Sequence, residues 1–102
     1  MERMTSKNIV AAQCKRLRHR LGWTQNDLVA RCQMMEWMIS RATLAKIEGG
    51  FRRVNDAEVA LLARALNTTP NALLDFPLPL ILDTARHGDI PDQDLMAAEK
   101  RD

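Results

Sequence analysis

The chain has 102 residues, with 15 Lys and Arg, 13 Asp and Glu, and a formal net charge of +2. This length favours a single domain, which buries roughly two thirds of its unfolded surface and needs no disulfide or metal to support a core. No apolar run approaches the roughly 18 residues of a membrane span, and residues 1–20 lack the apolar stretch of a signal peptide. We therefore expect a cytoplasmic protein that does not enter a membrane.

The charge is distributed unevenly along the chain. Residues 1–53 hold eleven Lys or Arg against four Asp or Glu, a net charge of +7, whereas residues 54–102 have a net charge of −5. A basic first half predicts a face for a polyanion, with the acidic half turned away from it. Ordinary solvated charge is the alternative, and charge alone does not decide between them.

The chain offers little that could support catalysis or metal binding. Cys14 and Cys32 fall on predicted apolar helix faces, so we interpret them as small buried hydrophobes and not as a disulfide or a metal pair. His19 and His87 are isolated among basic and polar residues, which predicts no metal site. No Ser or Cys nucleophile has a placed base and no carboxylate pair stands out, so we predict neither an enzyme nor a cofactor.

The first predicted helix follows a loose start over residues 1–5 and runs to about Leu21. Ser6 or Asn8 can cap it. Gly22 would close it in the left-handed conformation that glycine adopts most readily. Spacings of four, three and four residues place one apolar stripe along the helix, at Val10, Cys14, Leu17 and Leu21.

The second predicted helix runs from Gln25 to about Met34. Thr24 is its N-cap, and Asp27 completes a variant of the capping box. Its core-facing residues are Leu28, Val29 and Cys32. The connection over residues 35–38 holds no glycine to end the helix. Its tryptophan and methionines are expected to cover the edge of the core, and a partner surface is the alternative.

The third predicted helix is capped by Ser40 and reaches Glu48, where two glycines end it. Its strongly apolar positions, Leu44 and Ile47, lie three apart on one face. So narrow an apolar seam leaves the other side for an external partner. The residues of that side are small or basic: Arg41, Ala42, Ala45 and Lys46.

Two further helices complete the predicted domain. Asn55 starts a fourth helix that runs to about Leu66, and Asn67 is its left-handed stop. Thr69-Pro70 then provides an N-cap and a first helical position, opening a short fifth helix through Leu74.

The remaining residues, 76–102, are predicted to form a short C-terminal extension. Residues 76–79 contain two prolines and cannot be a regular helix interior, so a sixth helix is expected from Leu80 to His87, ending at Gly88. Residues 90–92 could open a last helix through Leu95 and Met96. Five side chains are too apolar for a free linker and are expected to pack on the domain or on a second copy: Phe76, Leu78, Leu80, Ile81 and Leu82.

Several short motifs in this order resemble one known family. They are Leu17-Arg18, Gly22-Trp23-Thr24-Gln25, Asp27-Leu28, Ile47-Glu48-Gly49-Gly50 and Leu62-Ala63-Arg64-Ala65-Leu66. Together they resemble the Xre/Cro-type, lambda-repressor-like helix-turn-helix domain over about Val10 to Leu74. The connection before Ser40 departs from the family by being about five residues longer than usual.

The resemblance implies a role for particular residues. Gln25 matches a position that touches a DNA phosphate, and Arg52 and Arg53 match a basic loop that holds backbone phosphate. Arg18 and Glu48 match a structural ion pair between the first and third helices. The positions implied to lie on or beside the DNA are Thr24, Gln25, Ser40, Arg41, Ala42, Thr43, Ala45, Lys46, Arg52 and Arg53.

Two of these side chains suit base contacts on chemical grounds. The guanidinium of Arg41 can contact O6 and N7 of guanine bidentately, and Ala42 can offer a methyl contact to thymine. For Arg41 the alternative is a solvated surface charge, but the second helix of a helix-turn-helix enters the major groove by its N-terminal residues. That placement favours base contact.

We therefore predict an all-α protein: a five-helix lambda-repressor-like helix-turn-helix domain over residues 6–75, with the extension over 76–102. The predicted function is a sequence-specific transcriptional regulator, a repressor that occludes its operator in double-stranded DNA as a homodimer. One alternative is an antitoxin that represses its own operon and neutralises a toxin protein through the C-terminal extension. The other is a helical protein-interaction module that no longer touches DNA, against which the basic first half counts.

Overall fold

The computed structural model describes residues 6–87, and within them the chain forms six helices and no strand. The all-α class is confirmed. In chain order the helices are α1 (Ala11–Arg20), α2 (Gln25–Met34), α3 (Arg41–Glu48), α4 (Asp56–Ala65), α5 (Pro70–Leu74) and α6 (Leu78–His87).

The first five helices close a ring around one core. Each packs on two others, in the cyclic order α1, α3, α2, α4, α5 and back to α1. Every helix of the ring contributes at least one side chain with no exposed surface: Cys14, Leu28, Leu44, Leu62 and Leu73. The two cysteines are buried and form no disulfide, which confirms their interpretation as core residues.

Helix starts follow the predicted capping residues. Side-chain oxygens of Thr24, Ser40, Asn55 and Thr69 each accept a hydrogen bond from a backbone N–H three residues on. The helix α1 begins at Ala11, and the Asn8 side chain accepts the Ala11 N–H over 2.8 Å. These caps satisfy donors that a helix start otherwise leaves unpaired.

A residue with positive φ stands two positions after the last residue of each of the helices α1 to α4. Gly22 (φ 74°), Gly50 (φ 77°) and Asn67 (φ 58°) are residues that accept this conformation readily, but the residue after α2 is Glu36, with φ 68°. The next N–H, from Trp37, reaches back to the Cys32 carbonyl over 3.1 Å. The stop of α2 therefore carries no sequence signature.

The predicted burial of Leu21 is wrong, and the predicted covering of the core by the α2–α3 connection is only partly confirmed. Leu21 was placed on the buried stripe of α1, but it lies beyond the last helical turn and is 42% exposed. In the α2–α3 connection Met35 and Trp37 pack against the core as expected, whereas Met38, like Met34 at the end of α2, is about three-quarters exposed.

The helix α6 differs from its prediction at its start. It begins at Leu78 and not at Leu80, because Pro79 lies in the first helical turn, where a missing N–H breaks no bond. The Pro77 carbonyl accepts the first helical hydrogen bonds, from Leu80 and Ile81. Gly88 and the last predicted helix, like residues 1–5, lie outside the described residues.

The helix α6 stands outside the ring of five helices. Leu78, Leu80 and Leu82 are 65%, 47% and 41% exposed, while Phe76 and Ile81 are partly buried. The predicted packing of these side chains on the domain is thus partial. Within residues 6–87, no helix combines the length and the apolar character that crossing a membrane requires.

Candidate nucleic-acid interface

The helix α3 has one buried face and one exposed face. Leu44, Ile47 and Glu48 are buried, at 0%, 0% and 4% exposure. On the other side Arg41, Ala42 and Lys46 are exposed, and Thr43 and Ala45 are partly exposed. The Ser40 hydroxyl accepts the Thr43 N–H over 3.1 Å and so fixes the start of the helix. The exposed face is basic, short and able to approach a partner closely.

Gln25, the first residue of α2, lies between the core and the exposed face. Its Nε2 donates to Oε1 of Glu48 over 3.1 Å, and its Oε1 accepts from Nη1 of Arg41 over 3.3 Å. The carboxamide therefore bridges a buried carboxylate and the first residue of α3. This contact orients Gln25 and Arg41 beside one another at the N-terminal ends of α2 and α3.

Arg18 and Glu48 form a bidentate ion pair beneath this surface. Nε of Arg18 donates to Oε2 of Glu48 over 2.7 Å, and Nη2 donates to Oε1 over 2.8 Å. The remaining Nη1 donates to the Trp23 carbonyl over 2.8 Å. The two side chains are only 8% and 1% exposed. The pair joins α1 to α3 inside the domain, so it contributes to structure and not to the exposed face.

Burial and hydrogen bonding act in opposite directions on this pair. Burial raises the pKa of Glu48, but hydrogen bonds from Arg18, Gln25 and Cys14 outweigh it and hold the pKa below its usual value. The bond to Glu48 likewise raises the pKa of Arg18. The Cys14 thiol donates to Oε2 of Glu48 over 3.7 Å, and burial raises its pKa above the usual value. Both charges of the pair are therefore stabilised.

The two arginines of the basic loop have different surroundings. Arg52 pairs with Glu58 of α4 through Nη1–Oε1 and Nη2–Oε2 hydrogen bonds of 3.0 and 2.9 Å. Its Nη1 also donates to the Arg53 carbonyl over 2.9 Å. Arg53 is exposed on the surface. The loop thus presents Arg53 outward, while the guanidinium of Arg52 is largely engaged in fixing the loop to α4.

The sequence matches the model of a known protein family. A model described as a helix-turn-helix domain matches residues 9–76, two thirds of the chain. The chain belongs to this helix-turn-helix family. Neither the curated proteins nor the solved structures that were compared contain a significant match.

The helix-turn-helix domain keeps its long α2–α3 connection in place through contacts near Ile39. Ile39 is 5% exposed, and its carbonyl accepts a hydrogen bond from Nε2 of Gln33 over 3.2 Å. Trp37 packs against the core beside it. Met34 at the end of α2 and Met38 in the connection are exposed, while the start of α3 remains anchored to α2.

Some predicted DNA-facing side chains already have partners in the helix-turn-helix domain. The Thr24 hydroxyl accepts the Asp27 N–H over 3.1 Å, and the Ser40 hydroxyl donates to Oγ1 of Thr43 over 3.1 Å. These two hydroxyls therefore stabilise the first turns of α2 and α3. Among residues 6–87 no group of three or more His, Cys, Asp or Glu residues is arranged to hold a metal ion.

Three residues beside this interface have positions that the sequence does not predict. Lys7 and Phe51 line a surface pocket with Lys46, Arg52 and Arg53, and Asn8 lies buried beneath them. Asn8 was expected only as a helix cap. Its contacts with the α3–α4 loop are long-range, and no local sequence pattern signals them.

Proposed function

We propose that this helix-turn-helix protein is a sequence-specific DNA-binding transcriptional regulator, a repressor that covers its operator as a homodimer. The observation that carries the proposal is the exposed face of α3. Its buried face is fixed by Leu44, Ile47 and the Glu48 ion pair, while Arg41 and Lys46 are exposed. A rigid basic helix on a helix-turn-helix scaffold suits insertion into the major groove.

In this proposal the interface divides into reading and holding residues. Arg41 reads a guanine edge through O6 and N7, and Ala42 offers a methyl contact. Gln25 and Arg53 hold backbone phosphates on either side of α3, and the Arg52–Glu58 pair keeps the loop in position. Thr24, Ser40, Thr43 and Ala45 lie at the edges of this surface, where small side chains allow close approach.

The short length of α3 favours a homodimer. The helix α3 has eight residues and can read only a few base pairs. Two copies double the site and give it two-fold symmetry. The domain over residues 6–75 carries the DNA surface in this proposal, and the extension from residue 76 supplies the contact between copies.

Selection from a random duplex pool tests the proposed function. The full chain should enrich a sequence with two related half-sites whose centres lie about 10 base pairs apart, or a multiple of that. Enrichment of a single unpaired half-site would contradict the homodimer. No enrichment, together with no retention on DNA-cellulose at low salt, would contradict DNA binding and favour a protein-interaction module.

The exposed leucines of α6 favour one second candidate, an antitoxin that binds a toxin protein through the extension while repressing its own operon. Leu78 and Leu82, which are 65% and 41% exposed on one side of α6, offer the apolar surface that such a contact needs. A small toxin gene next to the coding sequence, and co-purification of its product with the full chain, would support this candidate. Co-purification that survives removal of the extension would contradict it.

A further inference from the structure

A pocket at the C-terminal end of α3 combines positive charge with an exposed aromatic ring. The residues that line it are Lys7, Lys46, Phe51, Arg52 and Arg53. Four carry cations, and no acidic residue of the described chain is among them. Phe51 is 60% exposed although the domain has a well-formed core. Phe51 thus adds an exposed apolar surface to a pocket whose other side chains are cationic.

The pocket is held together from below by the segment that precedes α1. The Lys7 N–H donates to the Gly50 carbonyl over 2.9 Å. Nδ2 of Asn8, which is 6% exposed, donates to the carbonyls of Ile47 and Arg52 over 3.1 and 2.8 Å. These bonds fix Lys7 against a loop more than forty residues away in the chain. The backbone of Lys7 is therefore held beside the α3–α4 loop, from where its side chain lines the pocket.

The aromatic ring is also set in place by its neighbours. A Cβ atom added to Gly49 would lie 2.7 Å from two ring carbons of Phe51, so the ring covers the glycine closely. The backbone of Gly49 itself has φ −85°, which any residue can adopt. The absence of a side chain at Gly49 therefore allows the Phe51 ring to pack directly on the backbone.

We propose that this pocket binds one sugar–phosphate unit of the DNA backbone, with Lys7, Lys46 and Arg53 contacting the phosphate and Phe51 covering the deoxyribose. A phosphate alone would gain nothing from the ring, whereas the deoxyribose beside it is an apolar surface that the ring can remove from water. The inference rests on the proposed function and deepens it. It adds Lys7 and Phe51 to the interface and leaves Arg52, paired with Glu58, as a positioning residue.

The two new contacts predict different salt behaviour. A lysine that neutralises a phosphate contributes about one unit to the slope of log affinity against log salt, because a counterion is released. A ring against a sugar releases no counterion. Lys7→Ala should therefore lower the slope, by about one at most because Lys46 and Arg53 remain at the same phosphate. Phe51→Ala should weaken binding by roughly three- to tenfold with the slope unchanged.

The experiment is an anisotropy titration of the full chain with a random duplex at several salt concentrations. Lys15→Ala is the matched control, because it removes the same charge from an exposed position on α1 outside this pocket, and it should leave the slope unchanged. Gly49→Ala, which displaces the Phe51 ring without a change of charge, should reproduce the loss seen in Phe51→Ala. Thermal melting of each variant verifies that it is folded.

Ethylation interference on the selected operator provides an independent test, because it identifies the phosphates that the protein contacts. Modification of one phosphate in each half-site should impair the normal protein, and should impair Lys7→Ala less, because only Lys46 and Arg53 then remain to contact that phosphate. Normal DNA binding with a Lys7→Ala slope equal to that of Lys15→Ala would overturn the pocket proposal alone. A parent protein that binds no duplex at any salt concentration would overturn the proposed function and this inference together.

Discussion

Glu48 is the residue that ties the exposed surface of this domain to its interior. Its carboxylate accepts hydrogen bonds from Arg18 and Cys14 of α1 and from Gln25 of α2. With a side chain only 1% exposed, it has little access to solvating water. Loss of the carboxylate would leave Arg18 as a poorly solvated charge, which is far more destabilising than loss of an exposed pair.

Glu48→Ala should therefore lower the melting temperature much more than Arg52→Ala. A deeply buried pair that loses one partner costs about 3–5 kcal/mol, whereas Arg52 is 34% exposed and its pair should contribute about 1 kcal/mol or less. In a domain of this size 1 kcal/mol shifts the melting temperature by roughly 4–8 °C. Equal and small shifts in calorimetry would mean that the buried pair does not stabilise the domain.

The same pair predicts an acid dependence of stability. The pKa of Glu48 is lower in the folded chain than in the unfolded chain, where it lies at about 4.3. Its contribution is therefore fully present above that pH and is lost as the pH falls through the folded value. Glu48→Gln should give a melting temperature that is lower at pH 7 and falls less between pH 5 and about pH 3 than in the normal protein.

Glu58→Gln is the control for this acid dependence. Its hydrogen bonds with Arg52 lower the pKa of Glu58 too, but the partner is more exposed and the contribution should be smaller. Urea unfolding at pH 3, 4, 5 and 7 measures both variants. If Glu48→Gln kept the full acid dependence of the normal protein, other carboxylates would be responsible.

At the scale of the helix, the starts and ends of this fold differ in how well they can be predicted. The caps at Thr24, Ser40 and Asn55 are local signals, because a side chain bonds to its own backbone three residues on. The stop at Glu36 is not local, since a glutamate takes the left-handed conformation there only because Trp37 and Ile39 are held against the core. Tertiary packing overrides the preference of the residue.

Glu36→Gly should therefore stabilise the domain. Glycine removes the steric cost of positive φ, and this gain should exceed its greater loss of backbone freedom by about 0.5–1 kcal/mol, a rise of a few degrees in melting temperature. Gly22→Ala is the opposite control, because its φ is 74° with nothing within 4 Å of an added Cβ, and it should lower the melting temperature. A lower melting temperature for Glu36→Gly would contradict this account of the α2 stop.

The helix α6 provides a prediction about assembly. Leu78 and Leu82 lie four residues apart on one side of the helix, and both are exposed on the single chain. If they contact a second copy, Leu78→Ser with Leu82→Ser should convert a dimer to a monomer in sedimentation. Leu80→Ser, on the opposite side of the helix, is the matched control and should have a smaller effect.

Truncation after Leu74 extends this test to the whole extension. It removes α6 and the hydrogen bond from Gln13 to the Asp75 carbonyl, and we expect lower stability or loss of the dimer. A truncated protein with unchanged melting and unchanged mass in solution would contradict a role for α6 in either.

At the scale of the molecule, the uneven charge along the chain is consistent with the proposed DNA surface on α3 and the loop that follows it. Most exposed basic residues of the ring lie at or before Arg53, in the half of the chain with net charge +7, and Arg64 on α4 is an exception. The helix α4 that follows begins with Asp56 and Glu58. Attraction of the basic side by DNA would orient the protein before any base is read.

The sequence predicted the whole ring of helices but only part of the candidate site. Helix periodicity and caps are local, so α1 to α5 and most core residues could be derived directly. The placement of Lys7 against Gly50 depends on how distant segments of the chain meet, and no local pattern encodes it. Arg52 and Glu58 are only six residues apart, but their pairing depends on how the α3–α4 loop folds onto α4, which helix periodicity and capping signals do not describe. The start of α6 was misplaced because proline is disfavoured in a helix interior but tolerated in the first turn.

Comparison of Arg41→Ala with Arg53→Ala tests most directly the proposal that α3 reads bases while the α3–α4 loop holds the backbone. Each variant is titrated with the selected operator and with scrambled DNA at several salt concentrations. Arg41→Ala should lose about 1–3 kcal/mol on the operator and little on scrambled DNA. Arg53→Ala should weaken both together and lower the salt slope by about one. If Arg41→Ala lost affinity equally for both DNAs, α3 would not be the reading helix.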